Sequence, residues 1–275
     1  MTEARLQPDR SSALPADVRP AGRLKRTVQR AMHGLGLHVG RYPPVDSLAH
    51  HLKHLFDQVG VNCVLDVGAH HGEYGRALRA LGYGGVIVSF EPVRATYARL
   101  ARECGTDPRW RAHNLALGAE NADRAINVFS GSVFNSFRTV HAYGARRFRA
   151  NIGIVGTERV RVARLDAVID EAVAGIAHPR VFLKMDTQGW DLEVVKGAGD
   201  RLMDVGALQT ELSVIPVYEG LPSFAESIAH FQASGFAPTG IFPVARDLDR
   251  LRAIEFDCVM LRTPGLSGSS ARASD

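Results

Sequence analysis

Residues 61–91 read VNCVLDVGAHHGEYGRALRALGYGGVIVSFE. An apolar run ends in Asp66-Val67-Gly68, Gly72 opens a helical segment, and a second apolar run ends in Glu91. The pattern is strand, glycine turn, helix, strand, with an acid at the end of each strand. Gly68 has no Cβ, so the backbone there can turn tightly and pass close to a ligand. Gly72 allows close passage at the helix start, where free N–H groups and the helix dipole favour an anionic group such as a cofactor carboxylate. Glu91 stands at the carboxyl end of its strand, where doubly wound sheets bind ligands. A carboxylate there can accept both hydroxyls of a ribose and would repel a 2′-phosphate.

A dinucleotide site requires Gly-x-Gly-x-x-Gly. Here the turn is Asp66-x-Gly68-x-x-x-Gly72, with His70 in place of the middle glycine. A pyrophosphate needs closer backbone approach than this turn gives, and Asp66 adds a negative charge. S-adenosylmethionine (SAM) has no phosphate and carries a sulfonium cation, so it tolerates nearby acids. The turn therefore points to SAM over a dinucleotide.

Outward from this unit, the chain has 275 residues, 45% of them hydrophobic, enough for one large domain with extensions. No 18-residue apolar run predicts a membrane span. Residues 1–20 are rich in Pro, Ser, Ala and charge and are expected to be disordered, with no apolar segment of a secretory signal. Cys63, Cys104 and Cys258 fit no zinc or redox spacing, which leads to an expectation of a reducing cytoplasm. The net charge of +4 is unevenly placed. Residues 21–41 hold Arg23, Lys25, Arg26, Arg30 and Arg41 without an acid. That basic segment reads either as a helix docking on the domain or as a peripheral contact with the inner face of a membrane. No aromatic or base-reading pattern accompanies it, so nucleic acid is not expected.

The remaining chain alternates strand and helix, which implies a mainly parallel sheet. A basic helical extension is expected to run through residue 59, its last helix at 45–59. Strands are expected near 61–67, 86–90 and 110–115, with helices at 73–82 and 93–103. Residues 126–130 and 158–165 read as strands flanking a long insertion, 131–157, expected to contribute to an acceptor site or lid. Further strands fall at 181–186 and 207–215, helices at 189–202 and 223–234, and a closing strand pair at 236–245 and 254–261. The catalytic domain is expected over 60–262, with a disordered tail at 263–275.

A second chemical signal is Lys184-Met-Asp-Thr-Gln-Gly-Trp-Asp-Leu-Glu193. Asp186 ends a buried apolar strand, where a carboxylate is costly unless paired or functional. It is the first candidate for a base or orienting group; the alternative is a helix N-cap. Trp190 can stack on a sugar or on adenine, or simply pack. Glu211, also inside an apolar strand, can tune Asp186 or instead pair with Lys184. Two acids alone do not establish a metal. His71 is the second candidate base, although residues of that turn can instead offer backbone N–H groups. Asn114 follows the third strand, placed for an adenine edge. No Asn/Asp-Pro-Pro-aromatic tetrapeptide follows residues 181–186, which lowers transfer to nitrogen, and no nucleophile elbow or phosphate-binding loop appears.

The segments Asp66–Tyr74, Ser89–Pro92, Ala116–Gly118 and Leu183–Ala198, in this order, resemble the FkbM-type SAM-dependent methyltransferases over roughly residues 40–262. The resemblance implies a class I, Rossmann-like α/β fold: a mainly parallel seven-stranded sheet, an antiparallel closing strand and helices on both faces. It also implies O-methylation, with acceptors among sugar hydroxyls of glycolipids and polysaccharides and hydroxyls of polyketides. The expected cofactor set is Asp66, Gly68, Ala69, His70, Gly72, Tyr74, Glu91, Pro92, Asn114 and Leu115. Gln188, Trp190 and Glu211 are expected at the acceptor, and Asp186 and His71 at the reaction. The family often has Asn at position 70 and Asp-Val-Glu-Gly where this chain has Asp186-Thr-Gln-Gly189. The Thr-Gln form, with Arg41-Tyr-Pro-Pro44, looks most like the branch acting on deoxysugars such as rhamnose or fucose. The competing readings are a non-catalytic SAM-fold module that docks a glycolipid or protein, and a nicotinamide oxidoreductase, which the missing glycine disfavours.

Overall fold

The computed structural model describes residues 43–263, together with Met32. The expectations for residues 1–41 and for the tail from 264 lie outside the described residues. The chain divides into two compact units, Met1–Val45 and Asp46–Asp275. Every element named below belongs to the second.

Helix α1 (Leu48–Val59) begins where the Ser47 side chain accepts from His50 N at 3.2 Å, three residues later than the apolar pattern suggests. Strands β1 (Cys63–Val67), β2 (Val86–Phe90) and β3 (Trp110–His113) alternate with helices α2 (Glu73–Ala80) and α3 (Arg94–Cys104). After these come β4 (Ala116–Leu117), β5 (Ala122–Phe129), α4 (Ala142–Arg147), β6 (Ile154–Ala163), α5 (Leu165–Ala172) and β7 (Val181–Met185). The chain closes with α6 (Asp191–Ala198), β8 (Val205–Ser213), α7 (Phe224–Ala233), β9 (Phe236–Asp247) and β10 (Arg252–Arg262).

The main sheet has seven strands in the order β3-β2-β1-β7-β8-β10-β9. Neighbours from β3 to β8 run parallel, and β10 is antiparallel to both β8 and β9. Strand side chains alternate between two cores, as a sheet covered on both faces requires. Leu65, Leu183 and Leu208 pack with Ile169 of α5, Val194 of α6 and Phe231 of α7. Val64, Ile87 and Phe182 pack with Phe56 of α1, Leu78 of α2 and Leu100 of α3. All three cysteines are buried and unpaired.

The chain order reverses between β1 and β7, so the carboxyl ends of these adjacent strands open the crevice where such sheets take ligands. Val67 and Met185 are register partners there, and Asp186 N donates to Val67 O at 3.0 Å.

Two expectations are corrected. The third strand ends at His113, not 115, because Asn114 turns the chain and Ala116–Leu117 joins a second sheet, β4-β6-β5. The insertion is also not one long loop. It contains a 3-10 turn (Ser132–Phe134) and α4, and its last four residues belong to β6. Bridges Asn127↔Ser136 and Val140↔Tyr218 fasten it, and it shares a core of Phe129, Ile152, Val217, Tyr218 and Ile254.

Candidate active site

A cavity of about 620 Å³ lies over the carboxyl ends of β1, β2, β7 and β8, walled on its far side by the insertion and by β9 and β10. Ten of the expected site residues line it: Gly68, Ala69, His70, Tyr74, Glu91, Pro92, Asp186, Gln188, Trp190 and Glu211. Five do not: Asp66, His71, Gly72, Asn114 and Leu115.

Asp66 is fully buried behind the cavity. Its Oδ2 accepts from Ser89 Oγ at 3.1 Å, and Trp110 Nε1 donates to the same Ser89 Oγ at 3.0 Å. Its Oδ1 has no aligned donor but lies 3.1 Å from Lys184 Nζ, an ion pair rather than a directed hydrogen bond. Burial disfavours the Lys184 charge, but Asp66 and Asp186 outweigh burial and raise its pKa above the ordinary lysine value. Lys184 Nζ also lies 3.6 Å from Asp186 Oδ2. Lys184 thus joins Asp66 to Asp186 and is not the partner of Glu211. A buried carboxylate needs such a partner, which is why Asp66 supports the floor instead of meeting a ligand.

Gly68 has φ +77, and a Cβ built there would stand 2.0 Å from the Asp186 carbonyl oxygen. The glycine is required by the crossing of the two strand ends as much as by any ligand. Asp186 itself is not a helix N-cap. Trp190 holds that position, and the Asp186 side chain is 41% exposed, into the cavity. The anchoring role falls to buried Asp191, which accepts from Thr187 N at 3.1 Å, Thr210 Oγ1 at 2.6 Å and Glu211 N at 3.3 Å, and from Thr187 Oγ1.

On the cofactor side, Glu91 accepts from His70 N and Val93 N, both at 3.0 Å. Burial pushes its carboxyl up to about 7, against the pull of those two donors. Asn114 does not face the cavity: its amide donates to Glu91 O at 3.0 Å and Pro92 O at 2.8 Å, fixing the turn that presents Glu91. Leu115 is a core residue. Gly72, at φ +85, caps α2 and packs against the Trp110 ring. Next to Glu91 the cavity is apolar, with Phe90, Leu117, Ile126, Phe137 and Trp190. Arg124 and Arg138 lie 5.5 and 5.7 Å from the Trp190 ring centroid. A buried acid ready to take two hydroxyl donors, beside an apolar recess, fits the ribose and adenine of SAM.

His70, at φ +48, turns its Nε2 to Ser132 Oγ at 2.8 Å. His71 lies against it, tilted 37° at 3.7 Å between centroids, with its Nδ1 3.7 Å from Glu73 Oε1; Glu73 lines the cavity but His71, expected as a second base, does not. Burial and neighbouring His70 lower the His71 pKa, with Glu73 opposing. Among the described residues, His70, His71 and Glu73 are the one group whose potential metal-ligating atoms converge, within 4.8 Å. Asp186 and Glu211 belong to no such group.

The wall beyond Asp186 is acidic. Gln188 Nε2 donates to Asp186 Oδ1 at 2.9 Å and reaches Glu211 Oε2 at 3.4 Å, while Tyr218 donates to Gln188 Oε1 at 2.8 Å. Burial, then Asp186 and other acids nearby, raise the Glu211 pKa well above the carboxylate range. Burial likewise takes Glu255 to about 7 and Asp257 to about 6. Tyr74 donates to Gln209 Oε1 at 2.9 Å, and Gln209 Nε2 donates to Asp257 Oδ1 at 2.9 Å. Gln209, Glu255 and Asp257 line the cavity and were not expected from sequence. The signal for the two acids was present: they alternate with apolar residues in β10, the same pattern that singled out Glu211.

Residues 66–238 match the family described as the Methyltransferase FkbM domain. No curated protein sequence matches the chain. Among solved structures, similarity extends to the O-methyltransferase TomG from Streptomyces achromogenes, involved in tomaymycin synthesis and solved in complex with SAM. It is 15% identical, with 88% of this chain and 91% of that chain covered and a TM-score of 0.42. An rRNA methylase from Streptococcus thermophilus is 8% identical, with 80% and 98% covered and a TM-score of 0.41. At these identities and overlaps neither speaks to an acceptor.

Proposed function

Because the chain belongs to the FkbM family of SAM-dependent methyltransferases, we propose that it methylates a hydroxyl of a sugar, a deoxysugar such as rhamnose or fucose on a glycolipid, polysaccharide or glycosylated natural product. One observation carries this reading. Asp186 opens into the cavity at the strand switch, and around it stand Gln188, Glu211, Glu255 and Asp257, a wall of hydrogen-bonding groups suited to several hydroxyls. Phe134, Phe148, Val244 and Ala245 on the outer wall supply apolar surface for the methyl group of a deoxysugar.

Glu91 would hold the ribose hydroxyls, with Pro92 and the apolar recess around Trp190 beside the adenine. SAM, when bound, supplies a methyl group already activated by its sulfonium, so the protein mainly positions and desolvates. Gln188 occupies Asp186 Oδ1, and Lys184 stands behind Oδ2. The Asp186 carboxylate orients the acceptor hydroxyl and takes its proton as the new O–C bond forms and the S–C bond breaks. The products are a methyl ether and S-adenosylhomocysteine. Asp186→Asn is expected to lower kcat by about 10²–10⁴-fold, the usual worth of a positioned base, with SAM affinity retained. Full turnover in that variant would remove Asp186 from this role. Calorimetry with SAM and S-adenosylhomocysteine separates the enzyme from a docking module: binding of neither would contradict the enzyme. Among the described residues no helix is long and apolar enough to cross a membrane.

A further inference from the structure

Strands β9 and β10 have 12 and 11 residues, against five in β1, β2 and β7. At the tip of this long hairpin Leu248 is 73% exposed and Leu251 91% exposed, the latter in the left-handed region at φ +52. Exposed leucines adjacent on one turn mark an interaction surface more often than scattered ones do. Beside them lies a cleft of about 600 Å³ where the tip meets α4. Four arginines line it, Arg146, Arg147, Arg250 and Arg252, against two acids, Asp247 and Asp249. Arg250 pairs with Asp247 at 3.2 Å, and Tyr143 donates to the same carboxylate at 3.4 Å. Among the described residues Arg146 and Arg252 form no ion pair, and Arg147 lies 5.4 Å from the Phe148 ring centroid, so the cleft holds more guanidinium charge than its two acids balance and can meet an external anion.

A free anion would account for the arginines but leave the leucines in water. A bilayer with anionic headgroups accounts for both, because guanidinium groups meet the phosphates while leucines enter the acyl boundary. We propose that the β9–β10 tip and the end of α4 dock this protein on an anionic lipid surface. The place suits the chemistry next to it. Phe148, Val244, Ala245 and Glu255 line the catalytic cavity, each within three residues of a residue lining the cleft. Docking there would bring the cavity wall to the bilayer, where a glycolipid headgroup could enter. That consequence rests on the proposed activity, whereas the docking does not.

The test is sedimentation of the full chain with phosphatidylcholine vesicles, with and without phosphatidylglycerol. The wild type should bind the anionic vesicles and lose them at high salt. Leu248→Ser/Leu251→Ser and Arg146→Glu/Arg252→Glu should each weaken binding on the order of tenfold or more, with SAM affinity by calorimetry unchanged. Three results would overturn the proposal. The first is a wild type with no preference for phosphatidylglycerol. The second is wild-type binding by both variants, which would place binding elsewhere, residues 21–41 included. The third is loss of binding in the arginine variant alone, which would leave a free-anion site. Binding is read without methyl transfer, so its failure leaves the proposed activity standing.

Discussion

At Glu91, burial and hydrogen bonding pull in opposite directions. Its folded value of about 7 lies above the ordinary 4.5. The stability it contributes is therefore present below the ordinary value and is lost as pH rises through about 7. Two ribose hydroxyls bond better to the ionised form, so SAM affinity should tighten as pH rises through the same window. Glu91→Gln should bind SAM roughly 10–100-fold more weakly, the worth of hydrogen bonds to a charged group, and lose that pH dependence. Isothermal titration of both proteins between pH 6 and 8 checks this; a wild-type affinity flat with pH would remove Glu91 from the cofactor site. The role of Glu91 was legible because an acid closing an apolar strand is costly without a purpose. Asp66 carries the same signal, yet its purpose is Lys184. A sequence shows the cost of a buried charge but not which neighbour relieves it.

Among elements, the β1–α2 turn makes the sharpest structural claim. Gly68→Ala forces a Cβ to 2.0 Å from the Asp186 carbonyl at φ +77, whereas Gly82, at φ +85, has nothing within 4 Å of such a Cβ. Gly82→Ala should cost only its backbone strain, about 1–2 kcal/mol. Gly68→Ala should cost clearly more, about 4 kcal/mol or above, and should lower SAM affinity. Equal melting temperatures for the two variants would contradict the close crossing of β1 and β7. The strands and helices of the main sheet were legible from periodicity, since each buries a face that its pattern declares. The second sheet was legible only in part: residues 126–130 and 158–165 read as strands and overlap β5 and β6, but β4 did not show. Ala116–Leu117 is too short to show a period, and the chain leaves the main sheet because the Asn114 amide bonds to Glu91 O and Pro92 O. Those are contacts with residues more than twenty positions away, invisible to a local reading.

Over the whole molecule, the insertion closes the cavity by gripping the loop that carries Asp186. Ser136 Oγ donates to Gln188 O at 2.8 Å. Arg138 Nε donates to Gly189 O at 2.5 Å, and its Nη1 donates to Glu219 O at 3.2 Å and Gly220 O at 3.1 Å. One side chain thus ties the insertion, the Asp186 loop and the segment after β8 together. Arg138→Ala should lower Tm by roughly 5 °C or more and raise the acceptor KM about tenfold, because Gln188, which holds Asp186, loses its frame. A lowered Tm with an unchanged KM would make the grip purely structural. The sequence marked this insertion as functional by its length, but its folded interior depends on Val217 and Tyr218 from the segment after β8 and on Ile254 from β10, all distant in sequence. Methyl transfer to a sugar hydroxyl in this cavity can be read out directly. The most direct measurement incubates the protein with methyl-labelled SAM and rhamnose- or fucose-bearing glycolipids, and locates the label by mass spectrometry. Label is expected on a sugar ether oxygen together with S-adenosylhomocysteine. Label on nitrogen or carbon, or SAM bound with no label transferred to any sugar hydroxyl, would contradict it.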